Sequence, residues 1–556
     1  MFLAITAFVA QVTAPPPPPL LVSPAPTPSA SASPLPQTSA PVPVETATPA
    51  PFTVVPASIA LSPAQQQTLA LSGAAAPLAV TSDRKLVQVT VNQTTLAVTV
   101  TATQATGTDV LHIADARGAN VDVPVRVAFP AGTVVKTTTL KVTGSPLDPA
   151  WLASQVSSLV ARLTQALPGA QVTIAAVSPP PVVPAPGQQA QFTVPVQIAG
   201  GDAYYDVNDA TTVNVQNVAV NSFLPSLLFY DDDPEHITAD GVLYRGTVDA
   251  ARPVRLYYYH DNGPEPRRIV LMLGAQSQDP TSVQVIDSSA GPNIDVMGVG
   301  HATSKNFLLL KPQNEGTVVD LGSDPATLHD IPMQNRQGVA GTVGLRVLSG
   351  GAVTVTVLAA SPGIDPRTLI NGPVLPDDGH HRSGVFTLTN YGTAELPYTV
   401  GGADAKVVYG DREPTPPNAD PAAPGHDYGD YGVLWNLNFT LTNPTAAPAT
   451  VYLYERPIGG VLRSSFLVGT NLVDMGCVRV STPYQIGAYD LAPGQTYRLP
   501  VQTMTDGGSN YPIEVGITQT PPQPTPPPIS SADGCFPKPQ ATLSPAPSPV
   551  PTQRSQ

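Results

Sequence analysis

Apolar residues recur at every second position over long stretches of this chain, which is the period of an extended strand with one buried face. Leu86, Val87, Val89 and Val91 open the pattern, and Leu96, Val98 and Val100 continue it across an Asn92-Gln93-Thr94 connection. Val110, Leu111 and Ile113 follow, then a turn at Arg117-Gly118, then Val121, Val123, Val125 and Val127. Short strands at this spacing, with no helical period between them, predict a small sandwich over 53–130. Only 12% of residues are charged while 42% are hydrophobic, and Ser, Thr, Gln and Asn supply the remaining polarity. That balance suits sheets with one buried face and one hydroxyl-rich face.

The second half writes the same pattern twice. IVLMLGAQSQDPTSVQVIDSSAGP (269–292) aligns without a gap on LNFTLTNPTAAPATVYLYERPIGG (437–460), matching Leu273 to Leu441, Pro280 to Pro448, Val283 to Val451 and Gly291 to Gly459 at an offset of 168. Farther on, VVDLGSDPATLHDIPMQ resembles AYDLAPGQTYRLPVQTM, with Asp320-Leu321 against Asp490-Leu491. Related strands open each copy: GVLYRGTVDAARPVRLYYY from 241 and GVFTLTNYGTAELPYTV from 384. The match predicts two tandem sandwich domains, 228–362 and 380–518.

The first sandwich carries SIALSPAQQQTLAL, then VQVTVNQTTLAVTVTATQATGTDVLHIADARGANVDVPVRV. This run resembles bacterial Ig-like domains, and the 228–518 pair resembles exported sandwiches of the same kind. The resemblance implies an Ig-like β-sandwich fold in an exported protein and gives no residue a function.

Residues 134–220 break the pattern. Asp148-Pro149 offers an N-cap and a first-turn proline. Trp151, Leu152, Val156, Leu159, Val160, Leu163 and Leu167 then form one apolar stripe, stopped at Pro168-Gly169. With strands at Thr139–Val142, Val172–Val177, Phe192–Ile198 and Val213–Val220, the expectation is a small α+β module whose helix covers a sheet. The fold class expected for the whole chain is mainly β: tandem Ig-like sandwiches, one α+β module and Pro-rich ends.

Those ends hold many of the 67 prolines. MFLAITAFVAQVTA (1–14) reads as a signal peptide with Val12 and Ala14 before the cleavage point, although it lacks a basic leading region. Residues 15–52 and 519–556 read as extended Pro/Ala/Ser-rich spacers. No segment reaches the length of a membrane-spanning helix, so an integral membrane protein is not expected. The location expected is extracellular, at the cell surface or periplasmic. There an oxidising environment would let Cys477 pair with Cys535 and pin the tail to the last domain.

A net charge of −14 argues against nucleic acid and against anionic lipid as partners. It leaves two readings of the carboxylates: solubility, or calcium. The sharpest calcium candidate is YDDDPEH, in which Asp231, Asp232, Asp233 and Glu235 supply oxygens around a loop at Pro234. The alternative is a solvated acidic linker. Asp427 and Asp430, with Asp411 and Asp420 upstream, form a weaker version. His260 beside Asp261, His301, and the pair His380-His381 are loop histidines without metal-ligand spacing.

Tyr257, Tyr258, Tyr259, Tyr452 and Tyr454 are the candidate contact face. Tyrosines on a rigid sheet stack on sugars or peptides, and the alternative is ordinary cross-strand packing. The chain lacks a Gly-x-Ser-x-Gly elbow, a His-Glu-x-x-His helix and a phosphate loop, and no cofactor is expected beyond calcium. The leading expectation is an exported, non-catalytic surface or envelope protein whose tandem sandwiches meet a polysaccharide or a protein. One alternative is a carbohydrate-active or metal-dependent enzyme in which Asp232, Glu235, His260 and His301 converge. Another is an envelope scaffold that docks through 134–220.

Overall fold

The computed structural model describes residues 50–177, 182–379, 383–410, 416–419, 426–527 and 535. The expected signal peptide, nearly all of the 15–52 spacer, His380-His381, Asp411, Asp420 and the tail beyond 535 lie outside the described residues. The chain is mainly β, and it divides into two compact units, 1–127 and 128–556.

The first unit is a sandwich of two four-stranded sheets. Its leading segment serves both: Thr53–Val55 pairs antiparallel with Gln66–Ser72, while Ile59–Leu61 pairs parallel with Asn120–Val127. The alternating valines do what their period implies, since Val98, Val100, Leu111, Ile113, Val123 and Val125 form the core. Asp109, in GTDVLHI, is 4% exposed because it serves a loop. Its carboxylate accepts from Ser82 Oγ (2.6 Å) and from the backbone N–H groups of Arg84 and Leu86.

In the second unit, helix α1 (Pro149–Leu163) is capped by Asp148, whose carboxylate accepts from the Trp151 backbone N–H at 2.7 Å. Leu152, Val156 and Val160 are buried against Phe192, Val194, Val213 and Val215. The helix ends before Leu167, because Gln165–Ala166 leaves it to pair with Gly132–Thr133. The sheet beneath α1 does not stop at the edge of a module. Thr137–Thr143 pairs with Val207–Asn217 on one side and, through Val142 and Thr143, with Thr317 and Gly316 on the other. One eleven-stranded sheet therefore continues through Gly316–Leu321, Thr281–Asn293, Gly338–Ser349, Val254–Asn262, Leu227–Asp231 and Ser383–Thr387.

The stretches matched in sequence pair alike over part of their length, until a bulge between Leu271 and Met272 shifts the first by one residue, so that Leu273 faces Ala326 while Leu441 faces Tyr497. Ile269 faces Ile331 as Leu437 faces Val501, and Val283 faces Val319 as Val451 faces Tyr489. The opening strands differ. Gly241–Val248 pairs with Val353–Ala360 in the first sandwich's second sheet. Ser383–Thr387 crosses back and pairs with Leu227–Asp231, so the second copy's first strand completes the first copy's sheet. A second helix, α2 (Val296–Leu310), replaces the expected connection after Thr281–Asn293. Its sequence, VMGVGHATSKNFLLL, has two glycines and little amphipathic contrast because most of its residues are buried, so no stripe advertised it.

The tail is partly folded too. The Gln523 and Pro526 carbonyls accept from the backbone N–H groups of Gln485 and Gly476, and Cys477 and Cys535 are disulfide-bonded with Cα atoms 5.5 Å apart. Residues 519–527 are therefore docked backbone and not spacer. A Cys477→Ser/Cys535→Ser variant should lose about 4 kcal/mol of unfolding free energy, the chain-entropy value for a loop of this length. Urea denaturation of both proteins under non-reducing conditions checks this.

Candidate functional site

Two places in the second unit gather polar side chains: a buried joint between the sandwiches and an open groove beside α1. At the joint, His301 of α2 is 7% exposed. Its Nδ1 meets Asp506 Oδ2 at 2.7 Å and its Nε2 meets Asp474 Oδ1 at 2.8 Å, while Lys305 Nζ reaches Asp474 Oδ2 at 3.0 Å. With an acceptor on each ring nitrogen, the imidazole must carry two protons. Burial opposes that charge, but the two carboxylates outweigh it and lift His301 to about 9. Arg463 of the second sandwich pairs with Asp295, the N-cap of α2, at 2.8 Å. Beside this set, burial pushes Glu455 up to about 8, and its Oε2 accepts from Ser464 Oγ at 2.6 Å. Every charged partner of α2 here comes from the second sandwich, so the cluster acts as a lock between the two.

The residues singled out in sequence scatter. Asp231 is fully buried with His260, whose Nε2 lies 3.1 Å away, while His260 Nδ1 donates to the Pro234 carbonyl at 2.9 Å. Asp232 accepts from Tyr230 Oη at 3.0 Å. Asp233 turns the other way and, among the described residues, is the one member of the set in a three-carboxylate group, with Asp377 and Asp378. Burial together with those two neighbours raises Asp233 to about 6. Glu235 is outside that group, so the four proposed calcium ligands do not share one point. The reason is local: Asp231 ends a strand and faces the interior, while Pro234 turns the chain after it. His260 and His301 likewise take different partners, so the enzyme constellation does not assemble. Asp427 and Asp430 are both fully buried, and Asp427 accepts from the Tyr431 backbone N–H at 2.9 Å.

The tyrosine face is also corrected. Tyr257, Tyr258 and Tyr259 are 1%, 0% and 5% exposed, because their strand is central in its sheet and covered on both sides. Tyr454 is buried and donates to Glu514 Oε1 at 2.9 Å, and Tyr452 is half-buried. Four of the five are buried, and Tyr452 alone of them keeps part of its surface open.

What does open to solvent is a groove of ≈500 Å³. Its floor is the place where Thr137–Thr143 and Gly316–Leu321 meet, with Val285 and Asp287 below. One wall is a flank of α1 carrying Trp151, Gln155 and Arg162, and the other is Thr327 to Ile331. That second wall belongs to Ala326–Met333, the edge strand of its four-stranded sheet, paired among the described residues with Arg267–Ala275 alone. Most charges around the groove are matched. His329 Nε2 lies 2.8 Å from Asp287 Oδ2, off the hydrogen-bonding direction, Arg268 holds Asp330 at 2.7 Å, and Lys141 pairs with Asp320 at 2.5 Å. Burial works against a charged His329, and the Asp287 carboxylate outweighs it and raises the imidazole above its usual range. Arg162 is exposed at the rim. Sequence reasoning missed this site because it read Trp151 as core and had no way to place the 326–333 edge opposite the helix.

No protein-family model matches the chain, and no curated protein matches it. Among solved structures it is similar to tripeptidyl peptidase 2, at 11% identity over 85% of this chain and 34% of that one, with a TM-score of 0.13. It thus spans about a third of that protein's length. It is also similar to the Bacteroides ovatus mixed-linkage glucan utilization locus protein SGBP-B in complex with a heptasaccharide, at 10% identity over 54% and 72% of the two chains and a TM-score of 0.12. Yersinia pseudotuberculosis InvD matches at 11% identity over 55% of this chain and 96% of that one, with a TM-score of 0.13. Likenesses this distant assign no activity. No helix among the described residues is long and apolar enough to cross a membrane.

The joint predicts a pH dependence. His301 sits near 9 in the fold against 6.5 for a free imidazole, so its contribution is complete below pH 6.5 and lost as pH rises through 9. Glu455, raised from 4.5 to about 8, acts in the same direction because the folded state holds its proton. The urea midpoint should therefore fall as pH rises, from about 4.5 through Glu455 and then through His301 up to about 9. His301→Gln should flatten that fall and lose roughly 3–5 kcal/mol at pH 6, since it strands the buried Asp506 carboxylate, Asp474 keeping Lys305.

Proposed function

We propose that this chain is an exported, non-catalytic surface or envelope protein that holds an extended segment of a partner protein in the groove between α1 and the 326–333 strand. The single observation behind this reading is an unpaired strand edge facing a helix across open space. An edge strand leaves alternate backbone N–H and C=O groups without partners, and an extended peptide satisfies them by adding a strand. The five lining positions from Thr327 to Ile331 offer a run of about 17 Å at the usual strand rise. Trp151 supplies a flat apolar contact and Arg162 a forked cation, so the preferred segment carries an acidic side chain near an aromatic or aliphatic one.

The sandwich pair supports this reading as a stiff platform. The pairing of Thr137–Thr143 with Gly316–Leu321 runs one sheet under the groove, and Arg268 ties Asp330 of the second wall, so a preformed groove lowers the ordering cost of binding. The Pro-rich ends fit a protein that carries its folded part on spacers, and the disulfide fits an oxidising compartment.

The test is binding of the full chain to an array of acidic eight-residue peptides and, in parallel, to purified neutral and acidic polysaccharides. Peptide binding should saturate, and Trp151→Ala or Arg162→Ala should each weaken it by roughly tenfold or more. Binding by polysaccharides alone, or peptide binding untouched by both substitutions, contradicts the proposal.

A further inference from the structure

Past the C-terminal end of α2 lies a second cavity, of ≈190 Å³, lined by two cations and, among the described residues, by no acid. Strand Val254–Asn262 sends Arg255, Tyr257 and Tyr259 toward the second sandwich, and this carries Arg255 inside, at 3% exposure. Its guanidinium lies over the Phe307 ring at 5.2 Å, and its Nη1 donates to the Gly432 carbonyl at 2.8 Å. Its Nε has no hydrogen-bond partner among the described residues. Lys311, the C-cap of α2, lines the same cavity.

Among the described residues no carboxylate pairs with either cation. Burial alone lowers Arg255 to about 9, and burial together with the neighbouring Arg255 lowers Lys311 to about 8. Burying two like charges side by side is strongly unfavourable unless a counter-charge joins them. The negative end of the α2 dipole offsets part of the Lys311 charge, but it brings no oxygen to the fork of Arg255. The remaining wall brings the neutral side chains of Asn390, Thr393 and Asn436, while the Tyr391 hydroxyl beside them donates to Asp430 at 3.3 Å. The space is several times the roughly 30 Å³ share of one water, which is room for a small polyatomic ion. Leu224, at the rim, is 76% exposed, so the cavity has a mouth.

We propose that this cavity is an anion site for a doubly charged tetrahedral oxyanion of the phosphate or sulfate class, held between the Arg255 guanidinium and the Lys311 ammonium. Two positive charges call for two negative ones, and a forked guanidinium with neutral donors around it matches several oxygens on one centre. The residues come from the first sandwich, α2, the turn after Ser383–Thr387 and the second sandwich. An occupant therefore ties the same elements that the His301 lock ties at the other end of the helix. The site shares no residue with the groove beside α1 and does not depend on the reading of that groove.

The experiment is calorimetric titration of the full chain with inorganic phosphate, inorganic sulfate and glycerol 3-phosphate, at ionic strength held constant with sodium chloride. Saturable binding at one site per chain is expected, with a melting temperature that rises as the anion is added. Lys311→Gln should weaken binding by roughly tenfold or more, and being part-exposed at the cavity it tests the site without emptying the core. Arg255→Met should abolish binding, and Lys311→Gln carries the test if that variant does not fold. Binding of the inorganic ions identifies a free anion as the ligand, and binding of glycerol 3-phosphate alone identifies an ester group on a larger molecule; either supports the site. No saturable binding of any of the three, or equal binding by Lys311→Gln, overturns it.

Discussion

One strand belongs to two cores at once. Along Val254–Asn262, Val254, Leu256 and Tyr258 face the interior of the first sandwich, while Tyr257 and Tyr259 face the core it shares with the second. The alternation that normally divides a strand into wet and dry faces here divides it between two dry ones. Tyr230 stacks on Tyr257 at 5.7 Å, Tyr257 on Tyr431 at 6.0 Å, and Tyr431 meets Tyr511 edge-on at 5.8 Å, so rings run unbroken across the joint. The second sandwich approaches so closely that a Cβ on Gly432 would stand 2.7 Å from the Tyr257 Cβ, and Gly432 also holds a φ of +81°. Only glycine fits there.

The two sandwiches differ at the same connection. After Thr281–Asn293 the first inserts α2, and after Ala449–Pro457 the second inserts the hairpin of Leu462–Val468 and Asn471–Val478. These two insertions face each other, and they carry the charges: His301, Lys305 and the Asp295 cap on the helix, Asp474 and Arg463 on the hairpin. Apolar contact makes the joint stable, and a charge cluster of this kind fixes one docking geometry among the several that apolar contact alone would permit. The crossing of Ser383–Thr387 into the first sheet adds a covalent and hydrogen-bonded tether to the same effect.

Much of the fold was legible because strand period is a local property. The valines of the first unit, the cap and stripe of α1, and the shared part of the pairing in the repeated stretches all follow from residues near one another in the chain. Period says which face is apolar and not what covers it, and there the reading failed. VRLYYYH has no polar face, which is itself the mark of a strand covered on both sides, yet its tyrosines read as a contact surface. YDDDPEH read as one cluster because its acids are consecutive, whereas a strand end and a proline send them apart. The groove and the cavity are assembled from segments more than a hundred residues apart, as with Trp151 and His329, and no spacing rule reports such a meeting.

If a strand shared by two cores is what holds the second unit together, the two sandwiches open as one. Native-state hydrogen exchange measures this directly, by comparing slow amides of Val254–Asn262 with those of Leu434–Thr442 across a series of urea concentrations. The account predicts that both groups converge on one opening free energy with one urea slope. A second sandwich whose amides exchange through a separate, lower-energy opening while Val254–Asn262 stays protected would contradict it.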